Sequence, residues 1–293
     1  MSASIAELRK TIVSAEDLHS VVRTMKALAA SSITQYEQSV LALEDYYRTV
    51  QLGLGVCIRN QGQVVLPDLQ KLGSTEVVVF GSDQGLVGRF NDTVADHAIG
   101  LIADTPDTRV WAVGERVGAP LKDAGLTLAG VLPVPLSVGG ITPLVGQILI
   151  DYEAVLSRGE TLGLHLVYNK PTAGTIYEPT VHRLLPLDEA WRRDLTHIAW
   201  PTKDLPEVIG DVTSTIGHFV REYLFVSLFR ACAASLASEN ASRLAAMQRA
   251  DKNIESLLEE LNAKFHQLRH DEIDEELFDV VAGYEALKRS VVI

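Results

Sequence analysis

Apolar residues recur at alternating three- and four-residue steps through Tyr36, Val40, Leu43, Tyr47, Val50, Leu54 and Cys57, which predicts one buried face on a long helix. The same spacing runs back, less regularly, through Met25, Ile12, Leu8 and Ile5. A second tract, from about Glu207 to Lys288, contains no Pro and only three glycines, Gly210, Gly217 and Gly283. Its apolar positions include Leu224, Leu228, Ala231, Leu244, Met247, Ile254, Leu258, Leu261, Phe265, Leu268, Leu277 and Val280. A helix of ~80 residues would be ~120 Å long. A compact ball of this chain length has a radius of gyration of only ~19 Å. Such a helix must leave the ball, which points to a shaft with a mechanical or scaffolding role.

The segment between the two helical tracts has a different rhythm. Glu76–Phe80 is an apolar run that reads as a buried strand, Asn91–Ala103 has helical spacing, and Arg109–Gly114 is a second strand followed by a short helix over Glu115–Ala124. Leu144–Arg158 looks helical, while Thr161–Tyr168 and Thr175–Leu185 supply two more strands. Alternating strands and helices predict an α/β domain with a largely parallel, Rossmann-like sheet. The expected organisation is an N-terminal coiled-coil helix over 1–58, an α/β domain over 63–187, a linker over 188–206 and a C-terminal coiled-coil helix over 207–293. The two end helices are sequence neighbours of one inserted domain. They would leave the same side of it and bury their stripes on each other as a long antiparallel coiled coil. Neither stripe is a clean heptad, because Ser31-Ser32 and Ser238-Glu239-Asn240 put polar residues where a seam would want Leu. Such gaps are usually offered to something else.

Bulk properties narrow the function classes. The formal charge is −12 over 293 residues, which argues against a nucleic-acid backbone as partner because that contact needs a clustered positive surface. The acidic run Asp271-Glu272-Ile273-Asp274-Glu275-Glu276-Leu277-Phe278-Asp279 reads as a solvated helix face. Cys57 and Cys232 sit in apolar helical patterns and form no disulfide framework, so a reducing compartment is expected. Val131–Ile150 carries no charge, but Pro133, Pro135, Pro143 and three glycines make it strand and loop and not a spanning helix.

Candidate chemistry is sparse. Gly81-Ser82-Asp83-Gln84-Gly85-Leu86-Val87-Gly88 follows a strand and precedes a helix, where phosphate loops occur, yet it lacks the Gly-Lys-Ser/Thr ending and the dinucleotide glycine spacing. A tight structural turn is the better account. His266 and His270 lie one helical turn apart, but no third metal ligand accompanies them, and they read as surface residues. No Ser/His/Asp arrangement or carboxylate pair emerges, so the residues suggest no catalytic site, cofactor or metal.

The two ends carry a resemblance. Ala6–Ile12 together with Arg23-Thr24-Met25-Lys26-Ala27-Leu28-Ala29-Ala30-Ser31 resembles the N-terminal helix of the gamma subunit of rotary F-type ATP synthases. Leu236–Met247 is similar to that family's C-terminal signature, and Ile273–Gly283 to its final turns. The turn Gly81–Asn91, Tyr168-Asn169-Lys170 and Leu184-Leu185-Pro186-Leu187 also fit. The resemblance covers nearly the whole chain in order. It implies a central-stalk rotor with no catalytic site of its own and no direct nucleotide binding. Its partners would be the alpha and beta subunits of a catalytic hexamer, an epsilon subunit and a membrane ring of c subunits. It would lie peripherally on the cytoplasmic face of a prokaryotic energy-coupling membrane and couple ion-driven rotation to ATP synthesis or hydrolysis in the beta subunits.

By the same resemblance Met25, Glu239, Arg243 and Glu275 contact the beta subunits, and the tail Val291, Val292 and Ile293 sits in the hexamer's bearing. Read without it, Glu239 and Arg243 are an ordinary intrahelical ion pair, worth a few tenths of a kcal/mol. Departures from the family pattern at Gln84, Arg89, Ser32 and Glu275 point to a divergent branch, with alternative or sodium-coupled ATPases as candidates. Two other readings stay open: a free-standing coiled-coil adaptor, and an α/β small-molecule enzyme with helical arms.

Overall fold

The computed structural model describes residues 5–61, 74–103, 105, 107–156, 162–173, 176–204 and 206–290. The tail Val291–Ile293 and the start of the expected α/β domain at 63 lie outside these. The chain divides into two compact units, Met1–Leu28 with Leu244–Ile293, and Ala29–Arg243. Two helices, α1 (Ile5–Ala42) and α7 (Val212–Ser290), supply residues to both.

The larger unit is built on a sheet. Strands β1 (Ser74–Phe80), β2 (Thr108–Val113), β3 (Leu128–Leu132), β4 (Leu162–Lys170) and β5 (Glu178–Leu185) lie in the order β3-β2-β1-β4-β5. All pairings are parallel except β4 with β5. Helices α3 (Phe90–Ala103) and α4 (Glu115–Asp123) cover one face over Val77, Val79, Val110, Ala112 and Val167. The other face, with Val78, Phe80, Leu164 and Leu166, packs against α2 (Glu44–Gln61), α5 (Val138–Leu156), α6 (Glu189–His197) and the part of α7 in this unit. Alternate β1 side chains thus enter opposite cores, which is why the strand reads as a continuous apolar run.

Four local departures from the sequence reading have physical causes. The N-terminal helix is interrupted at Leu43, whose amide bonds the Val40 carbonyl at 3.2 Å in a tightened turn. Glu44 and Asp45 then open α2 with acidic charge, which suits a helix N-terminus. The Pro- and Gly-rich stretch expected as strand and loop is helical from Val138, because Ile141, Leu144, Val145, Ile148, Leu149, Tyr152 and Val155 form a helical stripe that the core buries. Strand β3 is short and alternates in exposure at the sheet edge, so its apolar signal is weak. The expected linker contains α6, capped by Asp188, whose carboxylate accepts from the Trp191 amide at 2.8 Å. Trp191 packs edge-on to Tyr223 and Leu195 is buried, so the segment belongs to the core.

In the smaller unit, α1 and α7 pair antiparallel, with His19 meeting Glu255 while Lys26 meets Asp251. The stripe on α1 steps by four and three through Leu8, Ile12, Ala15, His19, Val22 and Lys26. On α7 it runs through Leu244, Met247, Asp251, Ile254, Leu258, Leu261, Phe265 and Leu268. The spacing is therefore regular, and the polar interruptions here are His19, Lys26 and Asp251. In the larger unit Ser31 is exposed, and the stripe passes through Ala29, Ile33 and Tyr36 instead.

Candidate polar cleft on the long helices

The strand-to-helix turn after β1 is held in part by its own side chains. The Ser82 amide donates to Asn91 Oδ1 at 2.9 Å, Asn91 Nδ2 donates to Ser82 Oγ, and Ser82 Oγ donates to the Gln84 carbonyl. Asp83 reaches further. Its Oδ1 accepts from the Glu115 amide at 2.9 Å and its Oδ2 from the Val134 amide at 2.8 Å. One carboxylate thereby stitches the turn to the β3–α5 loop and satisfies an open N–H at the start of α4, where Gly114 offers no side-chain cap. Gly114 has φ 107, and a Cβ there would meet the Ser82 carbonyl at 2.7 Å, so only Gly allows this approach. The side chains of Ser82, Asp83 and Asn91 are thus engaged in the fold.

Against this turn lies a polar stretch of α7. Ser242 Oγ donates to the Val87 carbonyl at 2.6 Å, and Asn240 Nδ2 donates back to Leu236 at 2.8 Å. Arg243 Nη2 donates to Glu239 Oε1 at 2.6 Å and Nη1 to Asn240 Oδ1 at 3.2 Å. Glu239, Asn240 and Arg243, with Ser32, Tyr36, Asp83, Gln84 and Pro135, line a cleft of about 120 Å³. At ~30 Å³ per water it holds a few solvent molecules, well short of the ~300 Å³ at which small-molecule pockets begin. The cleft can dock a side chain or a loop edge.

The electrostatics are those of a buried pair. Glu239 is 5% exposed, and its Oε2 has no hydrogen-bond partner among the described residues. Burial pushes its carboxyl above the usual range, Arg243 pulls it back, and the charge of Asp83 adds to the rise. Tyr36 is also pushed up, first by burial and then by Glu239. Arg243 uses two of its five N–H donors in this network, which leaves others for an outside acceptor.

The sequence-named residues fall in different places. Glu239 and Arg243 come together as an ion pair in the larger unit. Met25 is half-buried in the smaller unit, packed against Val22, Met247 and Ile254. Glu275 is exposed on α7. Asp83 and Tyr36 were missed by sequence reasoning. The only signal for Asp83 was its place in a glycine-bounded turn, and Tyr36 counted as one more apolar stripe residue.

Comparisons agree with this architecture. A curated relative, the ATP synthase gamma chain of Clostridium botulinum (strain Eklund 17B / Type B), is 24% identical over 295 residues, covering 98% of this chain and 99% of its own. The rotor of the Euglena gracilis mitochondrial ATP synthase aligns with a TM-score of 0.63 at 15% identity, over 92% of this chain and 98% of that one. The central stalk and c-ring structure of the Tetrahymena thermophila mitochondrial enzyme aligns with a TM-score of 0.55 at 20% identity, over 78% of this chain and 99% of that one. With the ATP synthase family model matching residues 4–287, the chain belongs to the ATP synthase family as a gamma chain, the non-catalytic rotor subunit of the central stalk.

Proposed function

We propose that this chain turns inside a collar of alpha and beta subunits and passes torque between that collar and an ion-driven ring of c subunits, with epsilon beside it. The observation that carries this reading is the surface of α7 in the smaller unit. Ile273, Leu277, Val280 and Val281 share one helical face and are 49%, 60%, 71% and 49% exposed, with Phe278 beside them at 72%. Asp271, Glu272, Asp274, Glu275, Glu276 and Asp279 surround them. An exposed apolar stripe with a charged rim marks an interaction surface. On α1, Leu18, Val21 and Leu28 are likewise 53%, 54% and 63% exposed.

In this proposal the cleft at Glu239 and Arg243 is the polar handle by which a beta subunit feels the shaft. Arg243 offers its remaining donors to a carboxylate or carbonyl, and Glu239 holds the guanidinium in place. Met25 and Glu275 would contribute at other levels of the collar, and Val291–Ile293 in its bearing. Among the described residues no helix is long and apolar enough to cross a membrane. In this proposal the chain lies peripherally on the cytoplasmic face of a prokaryotic membrane. The nucleotide chemistry would belong to the beta subunits, and the coupling ion would be chosen by ring residues. Co-expression with the alpha and beta chains of the same source should yield a hexamer carrying one copy of this chain. Failure to co-purify at any ratio would refute the proposal.

A further inference from the structure

One arginine of the larger unit is half-buried without a counter-ion. Arg109, Arg192 and Arg243 are half-buried too, and each meets a carboxylate, of Glu76, Glu189 and Glu239 respectively. Arg230 on α7 differs. Among the described residues its guanidinium makes no ion pair and no hydrogen bond, and its one directed contact is with the ring of Tyr47, 4.6 Å from the centroid. That contact occupies one side of the group and leaves its five N–H donors without a protein acceptor. We propose that Arg230, with the phenol of Tyr168 and the imidazole of His182 beside it, is a binding site for a small free oxyanion of the inorganic phosphate type.

The sheet brings these groups together. In the antiparallel pair of β4 and β5, Leu166 stands opposite His182 and Tyr168 opposite Thr180. Tyr168, Thr180 and His182 therefore lie on the face that carries Leu164 and Leu166, the one α7 covers. β5 is the edge strand, and Tyr47, Tyr168, His182 and Arg230 are all only half-buried, so an ion can reach them from solvent. The platform under the guanidinium is fixed. Tyr47 stacks on Tyr223 with ring centroids 5.8 Å apart, and Trp191 meets Tyr223 edge-on at 5.3 Å. The electrostatics agree with an unanswered positive charge. Burial first, and the Arg230 charge after it, push His182 below its usual range, while burial raises Tyr168 and Arg230 opposes that rise. No carboxylate offsets Arg230 at either group. A charge taken partly out of water without a partner is unfavourable, and an anion bound there removes the penalty. The chain as a whole carries −12 and repels anions, so any binding here comes from local geometry. The planar guanidinium presents paired N–H groups that match two oxygens of one anion. Donors supplied from three elements, α7, β4 and β5, suit an ion with several oxygens.

The test is a pH titration of the His182 ring in the full-length chain by NMR, with and without inorganic phosphate at constant ionic strength. Bound phosphate cancels the Arg230 charge, so the His182 midpoint should rise with phosphate concentration and then saturate. The exposed His266 serves as the reference for bulk effects. Arg230→Gln should start from a higher midpoint and lose the phosphate response. Arg230→Lys keeps the charge without the fork. It should start near the midpoint of the unsubstituted chain and respond more weakly, which preserves the comparison even if Arg230→Gln fails to fold. A His182 midpoint that phosphate leaves unmoved in the unsubstituted chain would overturn the inference. So would a shift of the same size in Arg230→Gln, or one shared by His266.

Discussion

Gly55 makes the sharpest packing prediction. It is buried in α2, and a Cβ built there would stand 2.7 Å from the carbonyl oxygen of Leu195 in α6. That is about 0.7 Å inside the distance at which ordinary contact begins. The obstacle is backbone, held in α6 with the Asp188 cap at one end and the buried Leu195 side chain at the other. Gly55→Ala therefore has to push α6 off α2. Overpacking of this kind costs ~1–3 kcal/mol, while replacing Gly by Ala inside a helix returns up to ~1 kcal/mol. With the full return, the expected net is a loss of up to ~2 kcal/mol. Gly146 in α5 provides the internal control, because a Cβ there meets nothing within 4 Å. Gly146→Ala should stabilise by ~0.5–1 kcal/mol. Urea unfolding followed by Trp fluorescence reads both, and Trp191 in α6 reports the relevant contact. Equal, positive shifts for the two variants would refute the close approach of α2 and α6.

Other consequences follow from the polar groups. Asp83→Asn can still accept one of its two backbone hydrogen bonds but turns an amide donor towards the other N–H. A loss of ~1–3 kcal/mol is expected, with faster hydrogen exchange at Glu115 and Val134, and unchanged exchange would contradict the stitching role. Glu239 has a folded-state value raised above its unfolded one, so it contributes stability at low pH that is lost as pH rises through the folded value. Glu239→Gln should flatten that decline, and parallel stability–pH curves for the two chains would contradict the burial argument. Replacing Leu277 and Phe278 by Ser should raise the solubility of the free chain and weaken its retention by the collar subunits, measured by sedimentation and co-purification. Improved solubility with full retention would show that the stripe is not the docking surface.

The long helices and the parallel core of the sheet were legible because their burial is periodic. A 3–4 stripe and the apolar run Val77-Val78-Val79-Phe80 each have one simple explanation. Where tertiary burial overrode local signals the reading failed. The proline and glycines before Leu144 suggested a break, yet the apolar face of α5 holds the helix together through Pro143. Trp191 and Trp200 looked like linker residues, and only packing on Tyr223 reveals α6 as core. Of the polar interruptions read from the sequence, Ser238, Glu239 and Asn240 are buried as expected, while Ser31 is exposed and the gap at His19 and Asp251 was not foreseen. Asp251 and His19 occupy apolar positions, and a search for apolar residues sees a gap where the structure places an ion pair. At the cleft, Glu239 and Arg243 were found through resemblance, but their burial could not be read from an i,i+4 spacing. Asp83 acts across fifty residues to Val134, a contact that no local pattern encodes.

The central claim is that this chain turns relative to the subunits around it. Asp123→Cys, exposed at the end of α4, gives a site for a bead or rod on the chain within a complex fixed through its beta subunits. Adding ATP should produce sustained rotation in one direction that stops when ATP is removed. ATP hydrolysis by the same complexes with the probe fixed in place would contradict the account.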